Sequence, residues 1–160
     1  MSNFRVGNGY DVHVLAAGYR LVLGGVEIEN SKGCVAHSDG DVILHALCDA
    51  MLGALALGDI GHHFPDTDMQ YSNIDSTILL SRVDELVAAK GYKLVNADIT
   101  LLLQRPKVAP YIQQMRERIA SVLGVEKDCI SVKATTTEKL GFVGREEGVA
   151  SYATVLLEKQ

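Results

Sequence analysis

Residues 40–57 read GDVILHALCDAMLGALAL, and this stretch constrains the fold more than any other. Its apolar side chains, among them Val42, Ile43, Leu44, Leu47, Met51, Leu52, Leu55 and Leu57, cover most of a helical circumference. Asp41, His45 and Asp49, four apart, make one narrow polar stripe. A helix this apolar has to be covered on most sides. It falls short of the ~20 apolar residues that a bilayer span needs, so the rest of the chain must cover it. The spacing predicts a helix from about Gly40 to Leu57. Ser38 is the expected N-cap, with Asp41 three residues later as in a capping box, and Gly58 is the expected stop.

The flanking segments supply that cover. Residues 4–15 alternate as a strand, with Tyr10, Val12 and Val14 on one face and Asp11, His13 and Leu15 on the other. Residues 20–28 read as a second extended segment with Gly24-Gly25 as a turn or bulge. Residues 58–73 are loop by their Gly, Pro, Asp and Asn content. Asp75 caps a predicted helix to about Lys90, with Leu79, Val83, Leu86 and Val87 inward and Gly91 as its stop. Residues 93–104 alternate as a strand. Pro110 opens a third helix that Gly124 ends, with Ile112, Met115, Ile119, Val122 and Leu123 inward. Residues 129–137 and 148–159 are two more strands. The order β-β-α-α-β-α-β-β predicts an α+β fold with helices on one face of a mixed sheet, in a single domain over residues 1–160.

Composition removes several function classes. Apolar residues make up 48% and charged residues 22%, as in an ordinary globular protein. Cys34, Cys48 and Cys129 are odd in number and none is in CxxC spacing, so neither a disulfide framework nor a zinc-finger cage is implied. The formal charge is −5 and no basic patch with interleaved aromatics occurs, so nucleic acid is not an expected partner. An anionic ligand would need local cations or metal ions against that field. The N-terminus lacks the basic-then-apolar pattern of a signal peptide, and no membrane span is predicted; a cytoplasmic location is the expectation.

Two constellations carry chemistry. In YDVH (10–13), Asp11 and His13 share one strand face at a spacing that lets both reach one ion, and the intervening Val12 is expected to anchor the strand in the core. His45, a polar ring on an apolar helix, needs a partner and is the best third ligand. Two imidazoles and a carboxylate suit zinc with one open position; they also describe the facial triad of non-haem iron enzymes. The second constellation binds anions. AHSDGD (36–41) sets His37, Ser38 and Gly40 at the helix start, where free N–H groups favour phosphate, although simple capping also explains Ser38. KATTTEK (133–139) places three threonines at a strand end beside Glu138, flanked by Lys133 and Lys139; it reads either as a Thr-rich β-edge with solvated charges or, if the carboxylate holds a divalent cation that phosphates also bind, as a phosphate site. GFVGREEG adds Phe142 and Arg145 on a glycine-hinged loop, and arginine suits phosphate. In HHFPDTD, Asp66 and Asp68 either accept from a polyol or cap the turn at Pro65, and His62 and His63 read as surface residues.

Taken together, GYDVH, LGGV, AHSDGDVILHAL, ALGDIG, FPDTD, RPKVAPYI and KATTTEKLGFVGREEG, in that order from residue 9 to 148, resemble the 2-C-methyl-D-erythritol 2,4-cyclodiphosphate synthase family. The resemblance implies a homotrimer with active sites between subunits, and a four-stranded main sheet with helices packed on one face plus a small β-hairpin. It implies cyclisation of 4-diphosphocytidyl-2-C-methyl-D-erythritol 2-phosphate with release of CMP, in the non-mevalonate isoprenoid pathway. The family's zinc ligands fall on Asp11, His13 and His45, and its second divalent cation, Mg²⁺ or Mn²⁺, on Glu138. Its transition-state stabilising positions fall on His37 and Thr136, and Ser38 joins the substrate contacts. Polyol contacts fall on Asp59, Ile60, Gly61, Phe64, Pro65, Asp66, Thr67 and Asp68. The cytidine pocket falls on Leu103, Gln104, Arg105, Pro106, Lys107, Val108 and Ala109, with Ala134, Thr135, Thr136 and Thr137. Phe142 and Arg145 match a pair near the trimer axis, where an isoprenoid diphosphate is a further expected partner. His62 departs from the family, in which many members carry lysine, and Gln104-Arg105 and Val108-Ala109 vary the cytidine loop. Two other classes fit parts of this pattern. A non-enzymatic oligomeric module for a nucleotide or isoprenoid diphosphate would tolerate loss of the metal ligands. A non-haem iron oxygenase would need more open coordination positions and usually an all-β barrel, whereas His45 lies on a predicted helix.

Overall fold

The computed structural model describes residues 2–160. Strand β1 (Phe4–Ala17) pairs antiparallel with β7 (Gly148–Lys159) along most of its length. Beyond β7 lie β5 (Tyr92–Leu102), antiparallel to it, and β6 (Ile130–Thr135), parallel to β5. On the other edge β4 (Lys32–Val35) pairs with residues 14–17 of β1. The main sheet is therefore mixed and five-stranded, in the order β4-β1-β7-β5-β6, rather than four-stranded. The fifth strand is a short edge piece in SKGCVA, too brief to show a period. β2 (Leu21–Leu23) and β3 (Val26–Ile28) form the expected separate hairpin around Gly24-Gly25, both at positive φ.

Helices α1 (Val42–Ala54), α3 (Ser76–Ala89) and α4 (Ile112–Leu123) pack with the sheet's inner face; two short ones, α2 (Ile60–His63) and α5 (Gly141–Gly144), lie in segments expected to be loops. α3 starts at the expected cap, Asp75 accepting from Thr77 N at 2.8 Å. α4 ends at Gly124 in the left-handed region, as expected; Pro110 sits in a 3₁₀ turn just ahead of it. α1 is shorter than its apolar run. Its cap is Asp41, not Ser38: the Asp41 carboxylate accepts from Leu44 N at 3.1 Å, and Gly40 at φ +73° turns the chain out of the helix before Ser38. At the other end Ala56 takes φ +55°, its N–H bonds Gly53 O and that of Leu57 bonds Leu52 O. That Schellman arrangement ends the helix ahead of Gly58.

Asp41 is fully buried, because its carboxylate also accepts from Gly24 N (2.9 Å) and Gly25 N (2.7 Å), which ties the hairpin to the start of α1. Burial and the charge of Asp39 push its pKa up to about 6 despite those three N–H donors.

α1 lies unusually close to β1. A Cβ on Gly7 would run into the Ala50 carbonyl oxygen, and one on Gly9 into that of Ala46. The inner face of β1 thus runs Gly7, Gly9, Asp11, His13 against successive turns of α1, and the two glycines bring His45 down onto the two polar residues. The outer face bears Phe4, Val6, Tyr10, Val12 and Val14, all exposed, with Tyr152 of β7 against Tyr10 in a tilted pair, 4.8 Å between ring centroids. Val12 is 42% exposed and does not anchor the strand in this chain's core. Period-2 alternation separates two faces without telling which one the helices cover.

Gly9→Ala is expected to destabilise the fold by about 1–3 kcal/mol through overpacking. Gly53→Ala, with only Asn8 O as near as 3.9 Å, should stabilise the helix by about 0.5–1 kcal/mol. Urea unfolding of the two variants checks the contrast.

Candidate active site

Asp11 and His13 project from β1 toward His45 on α1. Asp11 Oδ2 lies 3.0 Å from His13 Nε2 and 3.0 Å from His45 Nδ1, and the two ring nitrogens are 3.2 Å apart. Donor atoms bound tetrahedrally to zinc at about 2.0–2.2 Å lie roughly 3.3–3.6 Å from one another. The three atoms therefore stand close to the spacing of a coordination shell, and their chemistry, two imidazoles and a carboxylate, fits a divalent metal. His45 is buried, and the other two are partly so. Burial opposes ionisation of Asp11, yet hydrogen bonds and positive charge from His13 and His45 hold its pKa down at about 2. Burial likewise opposes a charged His45, and the hydrogen bond and charge of Asp11 outweigh it, raising the pKa. The far side of the His45 ring, Nε2, meets Ser76 Oγ at 2.9 Å and Ser38 Oγ at 3.2 Å.

The triad opens into a cavity of about 200 Å³ lined by His37, Ser38, Ile60, Gly61, Phe64, Asp66, Tyr71, Ile74 and Leu79. His37 and Ser38 enter on the turn between β4 and α1. That turn is stapled to the start of α3, with Asn73 N bonded to His37 O (2.8 Å) and Asp39 N to Ile74 O (3.2 Å). His37 Nε2 is buried with no hydrogen-bond partner among the described residues. α2 is held by Asp59, which accepts from His62 N at 2.9 Å, and by Asp49 of α1, which accepts from Ile60 N at 2.8 Å. The polar stripe predicted on α1 thus serves three places: the hairpin at Asp41, the triad at His45 and α2 at Asp49.

A second cavity, of about 230 Å³, is lined by Leu103, Gln104, Pro106, Lys107, Val108, Ala109, Ile112, Ala134, Thr135 and Thr136. It sits between the ends of β5 and β6, where Leu103 N bonds Thr135 O at 3.0 Å. Beyond Thr136 the chain turns through Glu138 (φ +53°) and Lys139 (φ +65°), two successive non-glycine residues in the left-handed region. Such backbone is disfavoured and concentrates at functional sites. Glu138 N bonds Thr136 Oγ1 (3.2 Å) and Lys139 N bonds Gln104 Oε1 (3.2 Å), so the turn is braced against the cavity wall.

Residues 4–158 match the model of the YgbB family. The chain belongs to that family. It is 58% identical over 158 residues to the 2-C-methyl-D-erythritol 2,4-cyclodiphosphate synthase of Thioalkalivibrio sulfidiphilus, covering 99% of each chain. Among solved structures, the bifunctional IspDF of Campylobacter jejuni superposes with a TM-score of 0.94 at 46% identity, covering 98% of this chain and 42% of that one. Plasmodium falciparum IspF in its CDP complex superposes with a TM-score of 0.87 at 36% identity, covering 100% and 99%.

Measured against the YgbB-family expectation, the triad assembles within this one chain. Thr136 and Glu138 do not join it: neither lines the triad cavity, and Thr136 lines the second one. Of the polyol positions, Ile60, Gly61, Phe64 and Asp66 reach the triad cavity, while Pro65 and Thr67 are exposed beside it. Asp68 caps the 3₁₀ turn Met69–Tyr71, accepting from Gln70 N at 3.0 Å, rather than the turn at Pro65. Of the cytidine positions, Arg105 turns away to pair with Glu146 at 2.7 Å and Thr137 bonds Leu140 O, so neither lines the second cavity. Arg145 pairs with Glu147 at 2.8 Å, and Phe142 is exposed. His62 is exposed, whereas His63 is partly buried and bonds Leu57 O at 2.8 Å. Sequence reasoning missed Asp39 and Ser76. The available signal was Asp75-Ser76, a second small polar residue in the first turn of a helix already capped by Asp75. No helix among the described residues is long and apolar enough to cross a membrane.

The Asp11 shift has a definite sign. A carboxyl whose folded pKa lies below its unfolded value of 3.8 adds stability above that value and loses it as pH falls through about 2. In protein stripped of divalent metal, Asp11→Asn is expected to lower unfolding stability near pH 6 by about 2 kcal/mol, the gap narrowing below pH ~4. Urea titrations across pH check the trend.

Proposed function

We propose that this chain, a single cyclodiphosphate synthase domain over residues 1–160, is a metal-dependent cyclase. It converts 4-diphosphocytidyl-2-C-methyl-D-erythritol 2-phosphate to 2-C-methyl-D-erythritol 2,4-cyclodiphosphate and CMP, in the non-mevalonate isoprenoid pathway. The observation that carries the reading is the Asp11/His13/His45 triangle, with 3.0–3.2 Å edges, opening into a cavity that contains an unpartnered histidine nitrogen. The 58% identity to a synthase over nearly the whole chain supports the choice of reaction. An oxygen of the substrate's 2-phosphate forms the new bond to the β-phosphorus, the bond to the bridging oxygen breaks, and CMP leaves with that electron pair. No enzyme nucleophile is required. Consistently, burial pushes the Cys34 thiol up to about 12 and the Cys48 thiol well above its ordinary value.

Zinc held by Asp11, His13 and His45, and Mg²⁺ or Mn²⁺ at Glu138, would supply positive charge against the crowded phosphate oxygens. His37 Nε2, buried and otherwise unbonded, is available to donate to a phosphoryl oxygen. Ser38 borders the same cavity with a hydroxyl that can bind phosphate. Thr136 Oγ1 accepts from Glu138 N, which leaves its own proton for the transferring group. The segments at 59–68 and 103–109 hold the polyol and the cytidine, and Ala134 to Thr136 back the nucleotide, with Thr137 bracing the turn behind them. Positioning an intramolecular nucleophile in this way lowers a barrier by about 7–11 kcal/mol.

The triad cavity and the Thr136 cavity share no lining residue on one chain, which supports an active site completed by a neighbouring copy. The outer sheet face of Phe4, Val6, Tyr10, Val12, Val14 and Tyr152 supports that association: a contiguous apolar patch of this kind marks an interface. We assign it to a homotrimer, with Phe142 and Arg145 near the axis as the place for an isoprenoid diphosphate, and a cytoplasmic location. A non-haem iron role is disfavoured by the helical origin of His45 and by the family membership.

CMP release from the cytidylyl substrate, with and without divalent metal, tests the activity. His45→Ala should abolish zinc binding and nearly all turnover; full activity of that variant in metal-stripped buffer would end the zinc assignment. Glu138→Gln should weaken the Mg²⁺ or Mn²⁺ requirement while zinc stays bound. Val12→Lys, on the outer face, should shift the species measured by light scattering from three copies of the 17.3 kDa chain toward one, with loss of turnover but retained zinc.

A further inference from the structure

We propose that Ser76, with its proton committed to Asp39, is a positioning residue that fixes the tautomer of His45 and aims Nδ1 at the metal site. The inference rests on the metal reading of the triad given above. Ser76 is fully buried at the first position of α3. Its Oγ donates to Asp39 Oδ1, and its N–H donates to Asp39 Oδ2 at 2.9 Å. Asp39 Oδ1 also accepts from Asp41 N at 3.1 Å. An ionised carboxylate can only accept, and a serine hydroxyl has one proton. With that proton on Asp39, Ser76 Oγ can meet His45 Nε2, 2.9 Å away, only as an acceptor. Nε2 therefore carries a hydrogen, which leaves Nδ1 as the nitrogen able to give a lone pair to a metal ion.

With a divalent cation in the triad, that lone pair is directed at it together with Asp11 Oδ2, 3.0 Å away, and His13 Nε2, 3.2 Å away, whereas in metal-free protein the hydrogen bond to Asp11 puts a proton on Nδ1 as well. The opposite tautomer would turn an N–H toward the site and leave Nε2 and Ser76 Oγ as two facing acceptors in a buried setting, which is costly. Ser38 Oγ, 3.2 Å from Nε2, does not decide the matter, because its hydroxyl can donate or accept. Histidine ligands are commonly oriented by a partner on the second ring nitrogen. Here the partner is a serine whose direction is set by an aspartate. Asp39 belongs to the turn bearing His37 and Ser38 and Ser76 to the start of α3, so the same pair ties the two segments together.

The Ser76→Ala variant removes the acceptor but keeps the Asp39 contacts to the backbone N–H groups of residues 41 and 76, so the local main chain retains its tether. Zinc affinity of the full chain is measured by competition with a chromophoric chelator. Ser76→Ala is expected to bind zinc about 10–100-fold more weakly, with Ser38→Ala changed much less. In zinc-loaded wild-type protein, ¹⁵N-detected imidazole spectra should show the His45 proton on Nε2 and metal ligation at Nδ1. A proton on Nδ1, or zinc affinity unchanged in a folded Ser76→Ala variant, overturns this inference alone. Failure of the wild-type chain to bind zinc overturns the metal centre itself.

Discussion

The contact that the rest of the molecule depends on is the close approach of α1 to β1. Gly7 and Gly9 present no side chain to the helix, and a Cβ at either would meet the carbonyl oxygens of Ala50 or Ala46. Two turns of α1 can therefore lie almost on the strand backbone. Where the strand runs on to Asp11 and His13, the same proximity puts them in direct contact with His45, the residue next to Ala46. The triad is thus a product of packing distance.

Three carboxylates crowd this end of the molecule, and each is stabilised differently. Asp41 is held by three backbone N–H groups, and burial still raises its pKa to about 6. Asp39 accepts from Ser76 and from Asp41 N. Asp11 is held by imidazoles and drops to about 2. Only Asp11 shares its charge with groups that can also bind a metal. The other two serve structure, one through the hairpin and one through the start of α3. For a chain of net charge −5, this division matters. An anionic ligand can be accommodated only where negative charge is already paired and cationic groups can be added.

Several elements were legible in the sequence because their signals are local. The Asp75 cap, the Gly124 stop, the Gly24-Gly25 turn and the 148–159 strand depend on neighbouring residues alone, and all stand as expected. Ser38 misled because a small hydroxyl residue ahead of an apolar run resembles a cap wherever it stands; Gly40 removed it from the helix, and its hydroxyl went to His45 instead. Val12 misled because alternation reports that two faces differ, while the identity of the covered face depends on where the helices dock. β4 was too short for any periodic signal, and Asp39 and Ser76 meet only because the chain returns on itself after a long loop.

Some of this is settled in one dimension. The apolar run of α1 requires cover on most sides, and Asp-x-His on a strand sets two donors on one face, because side-chain direction follows from helical and strand periods. The motifs in their order identify the family for the same reason: they are strings. Which face of β1 meets α1, which nitrogen of His45 faces Asp11 and His13, and the separation of the Thr136 cavity from the triad were decided only by tertiary structure. Each depends on distances between segments far apart in the chain, and those distances come from packing, which no local pattern encodes.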